Sequence, residues 1–314
     1  MSGIRHSTFV LLWVFGYLGI SSFTPAQPFE FRLPKEDGVI HLNENGQRVF
    51  TYQLDHKAKD GKLARAHYLH PVHDPDGVVV TEDFPTDHLH HRGIFWAWHQ
   101  VLLKGKPVCD PWVCQDVVWS KPTWFVSRHD KQSATLEVTR EWHAGEKKLP
   151  VMQVGLIVRA TPAEDGVRRL DFELRLRALQ EGVTLGGSDN AKGYGGFSPR
   201  MRLSADVAFV GQIGPMKPMN TAVDGGAWVN VTRTIENKKR SVTMLVHPSH
   251  PGFPVKWILR AQRSMQNPQW PGRTPVAIST KEDTVLRYRL LLHNNRLDAD
   301  AIESEWKRYA VPRD

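Results

Sequence analysis

Apolar and polar residues alternate with a period of two along much of the chain. The cleanest case is Leu170 to Leu176, where Leu170, Phe172, Leu174 and Leu176 point one way and Asp171, Glu173 and Arg175 the other. Side chains alternate across a strand, so this pattern predicts a sheet buried on one face and wetted on the other. Short β-branched or aromatic runs recur at Val49–Tyr52, Val78–Thr81, Thr135–Thr139, Val154–Val158, Val242–Val246 and Val285–Leu292, each of strand length and composition. Asn45-Gly46, Asp60-Gly61, Asp76-Gly77, Asp165-Gly166 and Gly225-Gly226 punctuate them as turns. Helical periodicity is confined to Asp298–Tyr309, where Asp298 or Asp300 caps the start and Ile302, Trp306 and Tyr309 form a stripe.

Many strands, a single short C-terminal helix and no Pro/Ser-rich linker predict an all-β chain. The expected packing is one large antiparallel β-sandwich over residues 27–314, with two smaller sandwiches as the alternative. Residues 1–26 read differently. Arg5 and His6 precede the apolar run Phe9–Ile20 and the small residues before Gln27, which is the pattern of a secretory signal peptide. The apolar run is too short for a comfortable membrane span, and no later stretch approaches the ~20 apolar residues needed. The expectation is therefore a periplasmic or secreted protein without a span once the leader is removed.

Composition narrows the classes. A hydrophobic fraction of 40% with 11 Trp and 13 Phe excludes a disordered chain. The formal charge of +8 comes from scattered pairs such as Lys147-Lys148 and Arg168-Arg169, without the basic arm of a nucleic-acid binder, so no nucleic-acid partner is expected. Cys109 and Cys114 are too few to hold zinc alone; whether they close a local disulfide stays open.

The densest chemistry lies in Thr86–His99, which holds Asp87, His88, His90, His91, Arg92, Trp96, Trp98 and His99. As a strand it would gather His88, His90, Arg92, Trp96 and Trp98 on one face. Imidazoles move protons near neutral pH, a guanidinium grips oxyanions, and indoles stack on sugar rings. The plain alternative is a strand edge with solvated histidines and core tryptophans. A second segment, Leu185–Arg200, is glycine-rich without a dinucleotide fingerprint; it offers Asp189 and Lys192 as an acid/base pair, Tyr194, and Arg200 as a further anion holder. A third, His247–Trp257, leaves a strand into prolines and offers His247, His250 and Trp257. No Gly-x-Ser-x-Gly elbow and no His-Glu-x-x-His helix are present, which disfavours hydrolases of those classes.

The run from Tyr68-Leu69-His70-Pro71 through Asp87-His88-Leu89-His90-His91-Arg92-Gly93 to Trp98, together with Lys192–Arg200, His247-Pro248 and Arg287-Tyr288-Arg289, resembles an uncharacterised family of exported bacterial proteins often labelled methane oxygenase. That label conflicts with a mature chain lacking a spanning segment. More weakly, His88-Leu89-His90-His91-Arg92-Gly93 is similar to the histidine turn of galactose mutarotase-like sugar enzymes. The likeness implies a supersandwich fold with His90 as a general acid, but no matching glutamate base is identifiable.

These readings lead to an exported carbohydrate-active protein, an epimerase, lyase or hydrolase acting on a small-molecule or oligosaccharide substrate. His88, His90, His91, Arg92, Asp189, Lys192 and His247 are its candidate catalytic residues, and Asp87, Trp96, Trp98, Tyr194, Arg200 and Trp257 its candidate binding residues. No cofactor is required by this scheme, although a divalent metal ligated by the histidines and Asp87 is a second reading. A non-catalytic glycan-binding module, with Trp96, Trp98 and Trp257 as its platform, is a third.

Overall fold

In the computed structural model, residues 28–129, 132–294 and 297–311 are described, so the leader lies outside them. They form 25 strands and one helix, more strands than the sequence rhythm suggests because many have only two to four residues. The largest sheet has ten strands. Its centre is built from long neighbours, Ser133–Ala144, Leu149–Ala160, Val167–Ala178 and Thr284–His293, paired antiparallel in an unbroken ladder. A six-stranded sheet runs from Phe29–Arg32 through Gln47–Gln53 and Tyr68–Val72 to Ile94–Ala97 and Gly196–Pro199.

The alternation predicted for Leu170–Leu176 is realised: its apolar residues enter the same buried cluster as Leu42, Phe50, Val72 and Trp96 of the smaller sheet. Phe172, Phe197 and Tyr288 bridge the two sheets by ring contacts, with centroids 5.0 Å and 4.5 Å apart. The molecule is therefore an all-β sandwich. Burying each such large side chain contributes about 1.5–3 kcal/mol. On the opposite face of the large sheet, cross-strand pairs Asp171–Arg289 and Glu173–Arg287 take the polar positions.

The turn signals Asn45-Gly46, Asp60-Gly61 and Asp165-Gly166 fold with left-handed backbone at both positions, as at Asn45 (φ 48°) and Gly46 (φ 81°), whereas at Asp76-Gly77 and Gly225-Gly226 only the second residue is left-handed. Val78–Thr81, read as a strand, makes only isolated bridges at Val79 and Thr81. The helix spans Ala299–Ala310, with Asp298 accepting from the Ala301 N–H. It lays Ile302 and Tyr309 on Val167, Leu245 and Leu291, the outward residues of the large sheet, so that part of the sheet is covered on both sides. Cys109 and Cys114 are both free thiols.

A third, four-stranded sheet matters most for the site. In it, Gln100–Leu103 and Lys106–Cys109 form a hairpin around Lys104-Gly105. Both turn residues are left-handed (φ 51° and 77°).

Candidate functional site

The histidine-rich segment is not a strand before Ile94. Two successive turns coil it: the His88 N–H donates to the Pro85 carbonyl, and the His91 N–H to that of His88. The tight coil piles the rings together. His88 stacks on His91 at 4.7 Å and 5° between planes, while His90 stands edge-on to both at 5.6 Å and 4.6 Å. Gly93 ends the coil at φ 41°, where a Cβ would sit 2.0 Å from the Leu69 carbonyl oxygen. No other residue fits that approach.

The strand Ile94–Ala97 then divides two packed layers. Trp96 enters the main core, whereas Phe95 and Ala97 face a small cluster with Tyr68, Trp112, Ile258 and Met265. A cavity of about 280 Å³ opens above that cluster. His88, His90, His91 and His99 line it together with Trp112 and Tyr194. Lys192, Arg260, Arg263 and Met265 complete the parts of the wall that matter chemically. The sequence thus placed three rings of the coil, Lys192 and Tyr194 at one hollow.

Sequence reasoning missed His99 and Asp110 as a pair. The hairpin register brings them together across its open end: Val101 faces Cys109 after a one-residue bulge, so the residues just beyond meet. His99 Nδ1 donates to the Asp110 carboxylate at 2.8 Å, while the other Asp110 oxygen accepts from the Trp112 and Val113 N–H groups. This carboxylate orients the ring, leaving Nε2 as the acceptor. Nε2 is covered, without a protein partner, in a ring stacked on Trp112 and edge-on to Tyr194. The Lys104-Gly105 turn between apolar runs was the signal that could have found this pair.

Electrostatics separate the rings. Burial, then the positive Arg65 beneath and the neighbouring His88 and His99, lower His90 to a pKa of about 4. Burial followed by His90, His88 and Arg200 drives His91 further down. Both are neutral imidazoles at neutral pH. His90 has no hydrogen-bond partner among the described residues. Burial acts to raise the Asp87 carboxyl, but hydrogen bonds from Arg200 and His88 outweigh it and hold the group well below the usual carboxylate range. Burial raises Tyr194, and Asp110 adds to the effect.

Several candidates are placed elsewhere. Arg92 is fully buried away from the cavity. Its guanidinium donates to the carbonyls of Lys57 (2.9 Å) and Leu63 (2.7 Å), reaches Asp83 at 3.3 Å, and lies 3.2 Å from the centre of the Phe84 ring. With Nη2 on two main-chain carbonyls and Nη1 on Tyr68 and Asp83, Arg92 ties loops together. Arg200 is no free anion holder either. It grips Asp87 with two bonds (2.8 and 3.0 Å) and Glu82 with a third (2.7 Å), in the wall of an adjoining cavity of about 600 Å³. Asp87 lines that neighbour and reaches the histidines through His88 Nδ1 at 2.8 Å.

Trp96, Trp98 and Trp257 are at most 3% exposed and belong to the main core, so they form no stacking platform. The strand carrying Trp96 is covered on both faces, which sequence alternation alone does not reveal. Asp189 is exposed and paired with Arg273 at 2.9 Å rather than with Lys192. His247 lies on the outer face of the large sheet, bonded to Ser249 at 2.8 Å. His250 is buried between Pro251 and Tyr288.

For a metal, the clustered imidazoles meet through faces and edges rather than through converging nitrogens. Among the described residues no three His, Cys, Asp or Glu side chains are arranged to hold an ion. Likewise, no helix among them is long and apolar enough to cross a membrane.

No curated protein matches the sequence. A crystal structure of a GalM/aldose epimerase homologue from C. elegans is similar at 10% identity, over 85% of this chain and 100% of that chain, with a TM-score of 0.34. A family profile matches residues 40–307, which hold the histidine coil, the Asp110 hairpin and the whole cavity wall; the chain belongs to the family of unknown function DUF6807.

Proposed function

We propose that the chain is an enzyme acting on a sugar or glycoside by histidine acid/base chemistry in the 280 Å³ cavity. The observation that carries this reading is the pair of proton-handling groups on one hollow: an unpartnered neutral histidine, His90, and a histidine oriented by a carboxylate, His99–Asp110. Isomerisation, elimination and hydrolysis each need one group to take a proton and another to return it. His90 is the acceptor, Asp110 fixes the ring of His99 beside it, and Tyr194, whose phenol burial keeps protonated, is the group that can give a proton back. Trp112, Tyr194 and Met265 offer apolar surface to a ring, and the volume, near the lower end of the ~300–1,000 Å³ usual for ligand sites, suits a single sugar unit. Export from the cell belongs to the same proposal, and a mature N-terminus at or near Gln27 tests it.

The test is a panel of neutral and acidic sugars and glycosides incubated with the full-length protein in D2O, with NMR for deuterium exchange and mass spectrometry for products. Turnover by the wild type should fall by about 10²–10⁴ in His90→Asn and His99→Asn, with melting temperatures close to that of the wild type. Full turnover in both variants would overturn the assignment.

A further inference from the structure

We propose that the substrate of this cavity is an anionic sugar, bearing a carboxylate or a phosphate, whose charge is seated between Arg260 and Lys192. The inference rests on the acid/base reading above and names its substrate class.

Three of the cavity's lining residues, Lys192, Arg260 and Arg263, are cationic, and none is Asp or Glu. Two acids touch lining histidines from outside the wall: Asp87, which Arg200 grips, and Asp110, whose oxygens take His99 and the N–H groups of Trp112 and Val113. Arg260 is the decisive residue. It is half-buried, and its guanidinium is fixed by neutral acceptors: the carbonyls of Met219 and Leu259 on Nη1 and of Asn220 on Nη2. Carbonyls orient a guanidinium without cancelling its charge. Arg200, on the wall of the neighbouring cavity, is by contrast matched by Asp87 and Glu82, and Arg289 in the large sheet by Asp171. Lys192, Arg260 and Arg263 have no such partner among the described residues.

Beneath the cavity floor, Arg65 adds a fourth positive charge, held by the carbonyls of Pro111 and Trp112. Four cations outnumber the one carboxylate of Asp110 around the neutral His90 and His91, and such an excess attracts negative charge and repels a cationic ligand. Two of these cations, Arg260 and Lys192, belong to the wall that a substrate would meet, and a guanidinium and an ammonium can share one anionic group. The same anion would lift the depressed His90 toward neutrality, because an opposite charge nearby favours the imidazolium. Substrate binding would then prepare the proton acceptor.

The experiment measures binding of three probes of one ring size, glucose, glucuronate and glucose 6-phosphate, by calorimetry at low and high salt. The full-length wild type, Arg260→Met, Lys192→Met and the distant control His247→Asn are compared. At least one anionic probe should bind about tenfold or more tighter than glucose, and weaken with salt. Both cation variants should lose about tenfold of that affinity while glucose is unaffected. The glucuronate and phosphate arms identify which anion fits. Lys192 is exposed, so its variant keeps the test valid if removing Arg260 loosens its loop. His247→Asn, on the outer face of the large sheet, should bind the anion as the wild type does. Equal binding of glucose and both anions, binding of neither anion, or insensitivity to both cation substitutions would overturn the inference. Anion binding that depends on Arg260 and Lys192, alongside undiminished turnover in His90→Asn and His99→Asn, would sustain it and sink the catalytic roles instead.

Discussion

Two hollows in this molecule carry histidine, and they are built in opposite ways. The one on the outer face of the large sheet is the larger, about 600 Å³ against 280 Å³, and holds His247. Most of its charges answer each other: Asp171 faces Arg289, Glu173 takes both Arg287 and Arg175, and His247 bonds Ser249, while Arg159 and Glu137 on its wall have no ion pair among the described residues. Cross-strand pairing of this kind completes the polar side of a sheet. The smaller hollow has rings piled by a coiled loop, an oriented His99–Asp110 pair, an unpartnered His90 and cations without acids. Size therefore does not identify the site here. What sets the smaller hollow apart is an oriented acid/base pair beside cations that no carboxylate pairs.

The sharpest way to break that contrast is to remove the histidines one at a time. His90→Asn should cost about 10²–10⁴ in turnover, whereas His247→Asn should leave turnover within about a factor of two because a solvated surface pair contributes little. A reversal, read by initial rates on whichever sugar the panel identifies, would move the active site to the outer face.

Next in size is Arg92→Ala. Removing a buried guanidinium strands two carbonyls and leaves Asp83 to Lys57 and the Tyr68 hydroxyl, and should lower unfolding free energy by about 3 kcal/mol in urea titrations. Turnover per folded molecule should stay near wild type. Intact stability with lost activity would return Arg92 to the catalytic set.

Acid should weaken the fold through imidazoles buried away from either hollow. Burial lowers His250 to about 4, and burial followed by Arg233 lowers His293 to about 4. In the unfolded chain they titrate near 6.5. The folded state therefore binds fewer protons. The contribution is complete above pH 6.5 and drains away as pH falls toward 4, by about 3 kcal/mol for each ring. Denaturation midpoints measured from pH 7.5 down to 4.5 should fall steeply. A flat profile would mean that these rings are more hydrated than their burial implies.

The smallest effect is expected at Ser249→Ala, within about 0.5 kcal/mol, since Ser249 only completes an exposed contact with His247 and Arg287. A large loss would give the outer hollow a purpose that its paired charges do not suggest.

The long strands were readable because one face of each meets the core and the other meets water, as in Val167–Ala178. The helix was readable to within a residue from its Asp298 cap and apolar stripe. The site was half readable. A run of histidines separated by single residues imitates strand alternation, but the His88 and His91 N–H groups found carbonyl partners within the segment itself and closed turns. Alternation also failed at Phe95–Trp98, where packed layers on both sides bury every residue. His99 and Asp110 are eleven residues apart, and only a bulged hairpin makes them neighbours.

By itself, then, the order of residues determined the all-β architecture, the helix and the neighbourhood of the chemistry, because periodicity and turn residues act locally. Tertiary structure decided which polar groups were left unmatched. Arg92, Arg200 and Arg260 carry the same guanidinium. One meets carbonyls and Asp83 in the interior, one meets two carboxylates, and one meets only neutral oxygens beside a hollow. Partners that lie far apart along the chain cannot be read from local pattern, and a charge acts on a ligand only when no such partner has already neutralised it.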